Sequence, residues 1–200
     1  MELLLIRHAL PVRIDSAPGP ADPPLADLGR RQAAALADWL ADSPLDAIYT
    51  SPMRRAVETA APLCARRGIE PVVDDDLAEF DRESDSYVPI EELKAENDPR
   101  WHQLVAGDWS NGGAVDPVVF AAGVVDAVER IIAAHGGQTV AIVAHGGVVN
   151  VYLAHVIGTA RPMFFEPAYT SISRVLAARS GERQVRSVNE TAHLRDLLVS

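Results

Sequence analysis

Several things are scarce in this sequence, and each scarcity narrows what the protein can be. Among 200 residues there is one cysteine, Cys64, so no disulfide can close within the chain. Its place in a predicted helix assigns it to core packing. No apolar run approaches the ~20 residues that a membrane-spanning helix needs, and no membrane partner is expected. There is no basic stripe, and the formal net charge is −10, which argues against a nucleic-acid partner. No internal repeat and no linker divide the chain, so one domain over 1–200 is expected, long enough for a full core. The N-terminus enters an apolar segment at once, without a basic region or a cleavage site. No signal peptide is therefore expected, and a cytoplasmic location follows. Oligomeric state stays open, a homodimer included.

The acidity is concentrated. Residues 70–98 carry twelve acidic side chains against Arg82 and Lys94, a balance equal to that of the whole chain. A solvated surface segment accounts for most of them.

What the chain does have is a pair of short apolar runs that end in polar residues. Glu2-Leu-Leu-Leu-Ile6 stops at Arg7-His8, and Thr139-Val-Ala-Ile-Val-Ala144 stops at His145-Gly146-Gly147. Runs of this length and branching read as strands buried on both faces, as in a parallel sheet. Ligands of open α/β sheets bind at the carboxyl ends of such strands. Two strands each tipped with a histidine outline a site.

Between them, strands and helices alternate. A Pro-rich loop over 11–24 is expected at the surface. A helix is expected over 27–42, with Leu28, Leu36, Trp39 and Leu40 at helical spacing and Ser43-Pro44 as its stop. Residues 46–50 read as a strand. Ser51-Pro52 then reads as an N-cap and first helical position of a helix that carries Arg54, Arg55 and Glu58 and ends near Gly68. A strand over 71–74 precedes an insertion over 75–116 without a sheet period, with short helices near 90–96 and 100–106; long excursions of this kind are commonly lids or binding loops. A helix over 117–135 presents Val124, Val125, Val128, Ile131 and Ile132 on one face. After the second histidine-tipped strand comes a helix to about Ile157, then a hairpin turning at Ser180-Gly181. The fold expected is a three-layer α/β sandwich, its sheet mostly parallel with helices on both faces and the C-terminal hairpin adding antiparallel pairing.

Two His-Gly-Gly triplets separate structure from chemistry. His135 ends an amphipathic helix, where it faces terminal carbonyls and the next glycine supplies a left-handed turn, so capping suffices. His145 ends a strand and begins a helix, where free backbone N–H groups suit an anion. Arg7 and Arg55 are both placed near that edge, and paired guanidinium forks match a phosphate.

These residues carry a resemblance to the histidine phosphatase superfamily, the phosphoglycerate mutase-like group. Arg7-His8-Ala9 resembles its Arg-His-Gly motif, Thr50-Ser-Pro-Met-Arg-Arg55-Ala-Val-Glu-Thr59-Ala60 its second motif, and Ala144-His145-Gly-Gly147 its third. Pro24 to Ala33 and Val188 to Leu194 are also similar to recurrent family segments. The resemblance implies phosphoryl transfer with neither metal nor other cofactor. His8 would be the nucleophile, Arg7, Arg55 and His145 would neutralise the transferring oxygens, and a small phosphorylated molecule would be the substrate. The family's proton donor follows the third strand, where Leu77-Ala78-Glu79 stands, so Glu79 is the general acid, with Asp81 and Asp76 as rivals. Arg54 would face solvent or the rest of the substrate.

Departures from the family pattern bear on the subfamily. Ala9 replaces a glycine, Leu10-Pro11 replaces a polar residue, and Ile14 stands where mutase-like members place an asparagine; Arg13 reads as an exposed loop arginine. A phosphatase acting on a phosphate monoester is therefore the reading. A mutase, a catalytically weak phosphate-recognising module and a metal hydrolase using His8 and His145 are the alternatives. Substrate choice would fall to residues 10–24 and 80–116, Trp101, His102 and Trp109 among them. If the acidic segment faced the pocket, it would disfavour highly anionic substrates.

Overall fold

The computed structural model describes residues 1–106, 115–161 and 163–199. Six strands form one sheet in the order β3-β2-β4-β1-β5-β6. They are β1 (Glu2–Arg7), β2 (Ala47–Thr50), β3 (Val72–Val73), β4 (Thr139–Ala144), β5 (Ile172–Ala177) and β6 (Arg183–Glu190). β1, β2, β3 and β4 run parallel, while β5 pairs antiparallel with β1 and with β6.

Alternation along β1 explains the layers, because successive strand side chains point to opposite faces. Leu4 and Ile6 pack with α1 (Asp27–Trp39) and α2 (Arg54–Arg67). Leu3 and Leu5 pack with α5 (Pro117–Ala134) and α6 (Gly146–Ile157). All four are at most 1% exposed, and burial of each stabilises the sheet by about 1.5–3 kcal/mol. α5 starts as its sequence suggests, with Pro117 in the first turn and the Asp116 carboxylate accepting from the Val118 amide at 2.8 Å. Its Val124, Val128, Ile131 and Ile132 are buried, and Val125 is partly so. Cys64 is a buried free thiol on α2. The short helices α3 (Ile90–Ala95) and α4 (Pro99–Ala106) lie in the insertion.

Four local expectations need correction. α2 begins at Arg54 with Met53 as its N-cap, because the Ser51 hydroxyl instead turns back on the Met53 amide (3.2 Å) and reaches His145. α1 ends at Trp39 rather than 42, and Trp39 is 51% exposed beside His193. The left-handed turn after His135 is made by Gly137, at φ 85°, not by Gly136. The loop over 11–24 is not wholly surface. Pro11 and Ala21 are buried, and Ile14 and Tyr87 exchange backbone hydrogen bonds at 2.9 and 2.7 Å, tying the loop to the insertion. Gly29 permits that path, since a Cβ there would sit 2.0 Å from the Leu10 carbonyl oxygen.

Candidate active site

Register brings the two histidines together. β1 and β4 pair in step from Glu2 with Thr139 to Arg7 with Ala144, so the residue after each strand lands at the same edge. The rings of His8 and His145 have centroids 5.1 Å apart. β2 lies on the other side of β4, and Ser51, the residue after it, hydrogen-bonds back to Val143. Three strands thus each deliver their first post-strand residue to one spot.

The hydrogen bonds give the two rings opposite tautomers. His8 Nδ1 lies 2.8 Å from the Ala9 carbonyl oxygen. A carbonyl can only accept, so Nδ1 carries the proton and Nε2 is left as the base. At His145, Arg55 Nε–H donates to Nδ1 at 3.3 Å, so Nε2 holds the proton and donates to the Ser51 hydroxyl at 2.7 Å. Both rings are held far below the ordinary histidine pKa, by burial first and then by the Arg55 and Arg7 cations. His8 is therefore a neutral imidazole with a free ring nitrogen, in a cavity of about 150 Å³ that it lines with Arg7, Arg55 and Glu79.

The arginines are restrained without being used up. Arg55 is 1% exposed. Its Nε goes to His145 and its Nη2 to Asp81 at 2.7 Å, while its buried Nη1 has no partner. A buried unpaired donor is costly, and a phosphate oxygen would satisfy it. Arg7 Nη1 donates to Glu91 (2.8 Å) and to the Pro167 carbonyl (2.6 Å), and its guanidinium lies 3.8 Å over the Tyr169 ring. The Tyr169 hydroxyl donates to the other Glu91 oxygen at 2.7 Å. Burial pushes Glu91 up, yet Arg7 outweighs it and holds the carboxylate below its usual range.

Glu79 is the carboxyl group of the site. It is 7% exposed and accepts from the amides of Gly147 (2.7 Å) and Phe80 (3.2 Å). Burial, aided by the Asp81 charge, raises its pKa to about 7 against the pull of those amides and Arg55. A carboxyl group tuned to neutrality can give and take a proton at physiological pH. The approach of α6 depends on Gly147, where a Cβ would fall 2.3 Å from Glu79 Oε1.

All five residues singled out from the sequence, Arg7, His8, Arg55, Glu79 and His145, lie at this edge. Of the two rivals to Glu79, Asp81 is at the site but is taken by Arg55. Asp76 is exposed and pairs with Arg130 at 3.0 Å. Arg54 points away, paired with Glu58 at 2.6 Å, and Arg13 is held by Asp15 and Glu92. His135 accepts from the Tyr49 hydroxyl and donates to Gln138 at the end of α5, far along the sheet from the histidine pair. His102 is exposed on Asn97, and Trp101 lines a neighbouring hollow rather than the cavity; Trp109 lies outside the described residues. Among the described residues no group of three or more His, Cys, Asp or Glu is placed to hold a metal ion, and two guanidinium groups flank the histidines.

Sequence reasoning missed several supports. Ser51 was legible in principle, since it follows a strand end as the histidines do. Thr59 accepts from the Ala9 amide (2.9 Å) and donates to the Arg55 carbonyl (2.6 Å), pinning α2 to the chain after His8. Thr170, strained at φ 56°, donates its amide to the Arg7 carbonyl at 3.0 Å, and its hydroxyl meets His193 Nε2 at 3.1 Å. Nothing local marks Tyr169 or Glu91.

With this geometry described, comparison with known proteins is informative. The model of the histidine phosphatase superfamily (branch 1) matches residues 3–191. A bifunctional protein of Mycobacterium tuberculosis is 31% identical over 203 residues, covering 96% of this chain and 54% of that protein. The chain thus spans about half the length of the first curated relatives it matches. Phosphoserine phosphatase 1 of Hydrogenobacter thermophilus is 26% identical over 205 residues, covering 100% of this chain and 97% of that one. Among solved structures, a mycobacterial glucosyl-3-phosphoglycerate phosphatase superposes with a TM-score of 0.75 at 23% identity, over 95% of this chain and 99% of that one. YhfR of Bacillus stearothermophilus superposes with 0.74 at 25%, over 96% and 98%. They share the fold. No helix among the described residues is long and apolar enough to cross a membrane.

Proposed function

The chain belongs to the histidine phosphatase superfamily, and we propose that it hydrolyses phosphate monoesters through a phosphohistidine on His8. The observation that carries this reading is the His8 tautomer. With Nδ1–H held on the Ala9 carbonyl, the Nε2 lone pair is available in a cavity that also offers the unpartnered Nη1 of Arg55. In the first step Nε2 attacks phosphorus in line, the bond to the ester oxygen breaks, and the leaving oxygen takes the proton of Glu79. Arg7 and Arg55 balance the charge on the non-bridging oxygens. His145, neutral and accepting from Arg55 at Nδ1, sets that guanidinium beside the phosphate. In the second step Glu79, now a carboxylate, takes a proton from water. The water oxygen bonds to phosphorus as the P–N bond breaks, releasing orthophosphate and neutral His8.

The experiment is hydrolysis of a monoester panel with chelator present throughout, wild type against His8→Ala. It is paired with an alkaline denaturing quench to trap a phosphoryl label that is labile to acid and stable to alkali. Turnover and label that both vanish in the variant are expected. Turnover that survives His8→Ala, or that chelator abolishes, would overturn the reading.

A further inference from the structure

The cations around the cavity are paired before any substrate arrives. Beyond Arg7 and Arg55 the base lining it is Arg100, whose Nε and Nη2 donate to the two oxygens of Asp98 at 3.0 and 2.8 Å. This fork-to-fork contact holds Asp98 down to a pKa of about 2. Lys94 is bound to both oxygens of Glu166 at 3.1 and 2.9 Å, and Glu166 itself lines the cavity. Asp81 and Glu166 also line the cavity, each already paired with a cation. Most of the remaining wall is apolar, formed by Phe80, Val88, Ile90, Leu93, Leu104 and Met163. Ile90, Leu104 and Met163 continue into an adjoining hollow of about 180 Å³ that adds Trp101, Phe164 and the exposed Arg161.

A carboxylate or second phosphate on the substrate would lose its water here. It would meet apolar side chains or side chains already in ion pairs, and among the described residues lining the cavity itself no unpaired cation outside the phosphate-holding pair. A hydrocarbon chain meets surface that gains by being covered. We infer that the pocket selects phosphate monoesters of apolar, uncharged alcohols and discriminates against alcohols that carry a second anion. This rests on the phosphatase reading above and names its substrate class. Asp98 becomes a specificity residue that acts by occupying Arg100.

The test uses two esters of equal chain length and similar leaving group, hexyl phosphate and 6-(phosphonooxy)hexanoate. In the wild type, kcat/KM for the first should exceed that for the second by about tenfold or more. Asp98→Asn keeps the oxygen that accepts from the Arg100 amide at 2.8 Å and from its Nε at 3.0 Å, but removes the negative charge and the bond to Nη2. It should leave hexyl phosphate unchanged and narrow the gap several-fold by raising the carboxylate ester. Equal or reversed wild-type rates, or a gap that Asp98→Asn leaves untouched, overturn the inference while the phosphatase reading stands. Calorimetric binding of hexylphosphonate and 6-phosphonohexanoate reads the same preference without turnover. Tighter binding of hexylphosphonate by a protein that hydrolyses neither ester would sink the phosphatase reading and leave the inference as a binding preference alone; equal binding would sink the inference.

Discussion

The sheet edge and the insertion facing it hold their charged residues by different means. At the edge, Arg7, His8, Ser51 and His145 are placed by strand register and by backbone groups that cannot move without unpairing the sheet. Across the cavity, Asp81 and Glu91 of the insertion are placed by side-chain ion pairs with Arg55 and Arg7, and Glu166, which follows α6, by one with Lys94. A parallel ladder holds groups to a fraction of an ångström, which suits the proposed nucleophile and phosphate cradle. Ion pairs reached by long side chains set charge rather than position, which suits choosing what else enters. Glu79 belongs to both regions. It is carried in by the insertion, yet it is fixed by an amide at the start of α6.

Substitutions can break this division of labour, and the largest effect is expected at the edge. His8→Ala should lower kcat by about 10³-fold or more while binding of orthophosphate stays within a few-fold, read by calorimetry. Next is Glu79→Gln, which should cost about 10²–10³-fold on alkyl esters and less on aryl esters, whose leaving oxygen needs less help. The wild-type pH profile carries the sign. With protonated Glu79 as the proposed donor, its pKa raised to about 7 by burial and the Asp81 charge, kcat/KM on alkyl esters should be full below that pH and fall as pH rises through it. Gly147→Ala puts a Cβ against Glu79 Oε1 and should reduce kcat by about tenfold with a smaller change in KM, through a displaced acid. Asp81→Asn removes a charge that raises the Glu79 pKa, so the alkaline limb should move to lower pH, with only a few-fold change in the maximal rate. The smallest effect is expected from His102→Ala, an exposed side chain off the cavity, which should leave every kinetic constant within about twofold.

How much of this could be read in advance depended on the range of the interactions. Leu3 to Ile6 and Val140 to Ala144 announce buried strands by composition alone, and the residue following each is then bound to reach the sheet's carboxyl edge. His135 and His145 share a triplet, but their preceding periodicities differ, and the structure puts one at a helix end and the other beside His8. Helix boundaries were read less well. Ser51-Pro52 has the chemistry of a cap, but Ser51 is drawn off by His145 and helix α2 waits until Arg54. In the insertion, where acids crowd together, composition could not say which carboxyl group is buried. The family resemblance points to Glu79 after the third strand, whereas Glu91, paired with Arg7, has no local mark.

The order of strands and helices, the sheet edge that would carry chemistry and the identity of Arg7, His8, Arg55 and His145 were determined by the sequence itself. Strand burial and strand ends are local properties of a chain, written in runs of a few residues. Only the tertiary structure decided which histidine nitrogen is free, which arginine nitrogen waits for a partner, and that Glu91 and Asp81 pair with Arg7 and Arg55. Those facts depend on hydrogen bonds and ion pairs between residues as far apart as Arg7 and Glu91 or Arg55 and His145. Neither a carboxylate's partner nor an imidazole's tautomer is set until the fold brings its neighbours within about 3 Å.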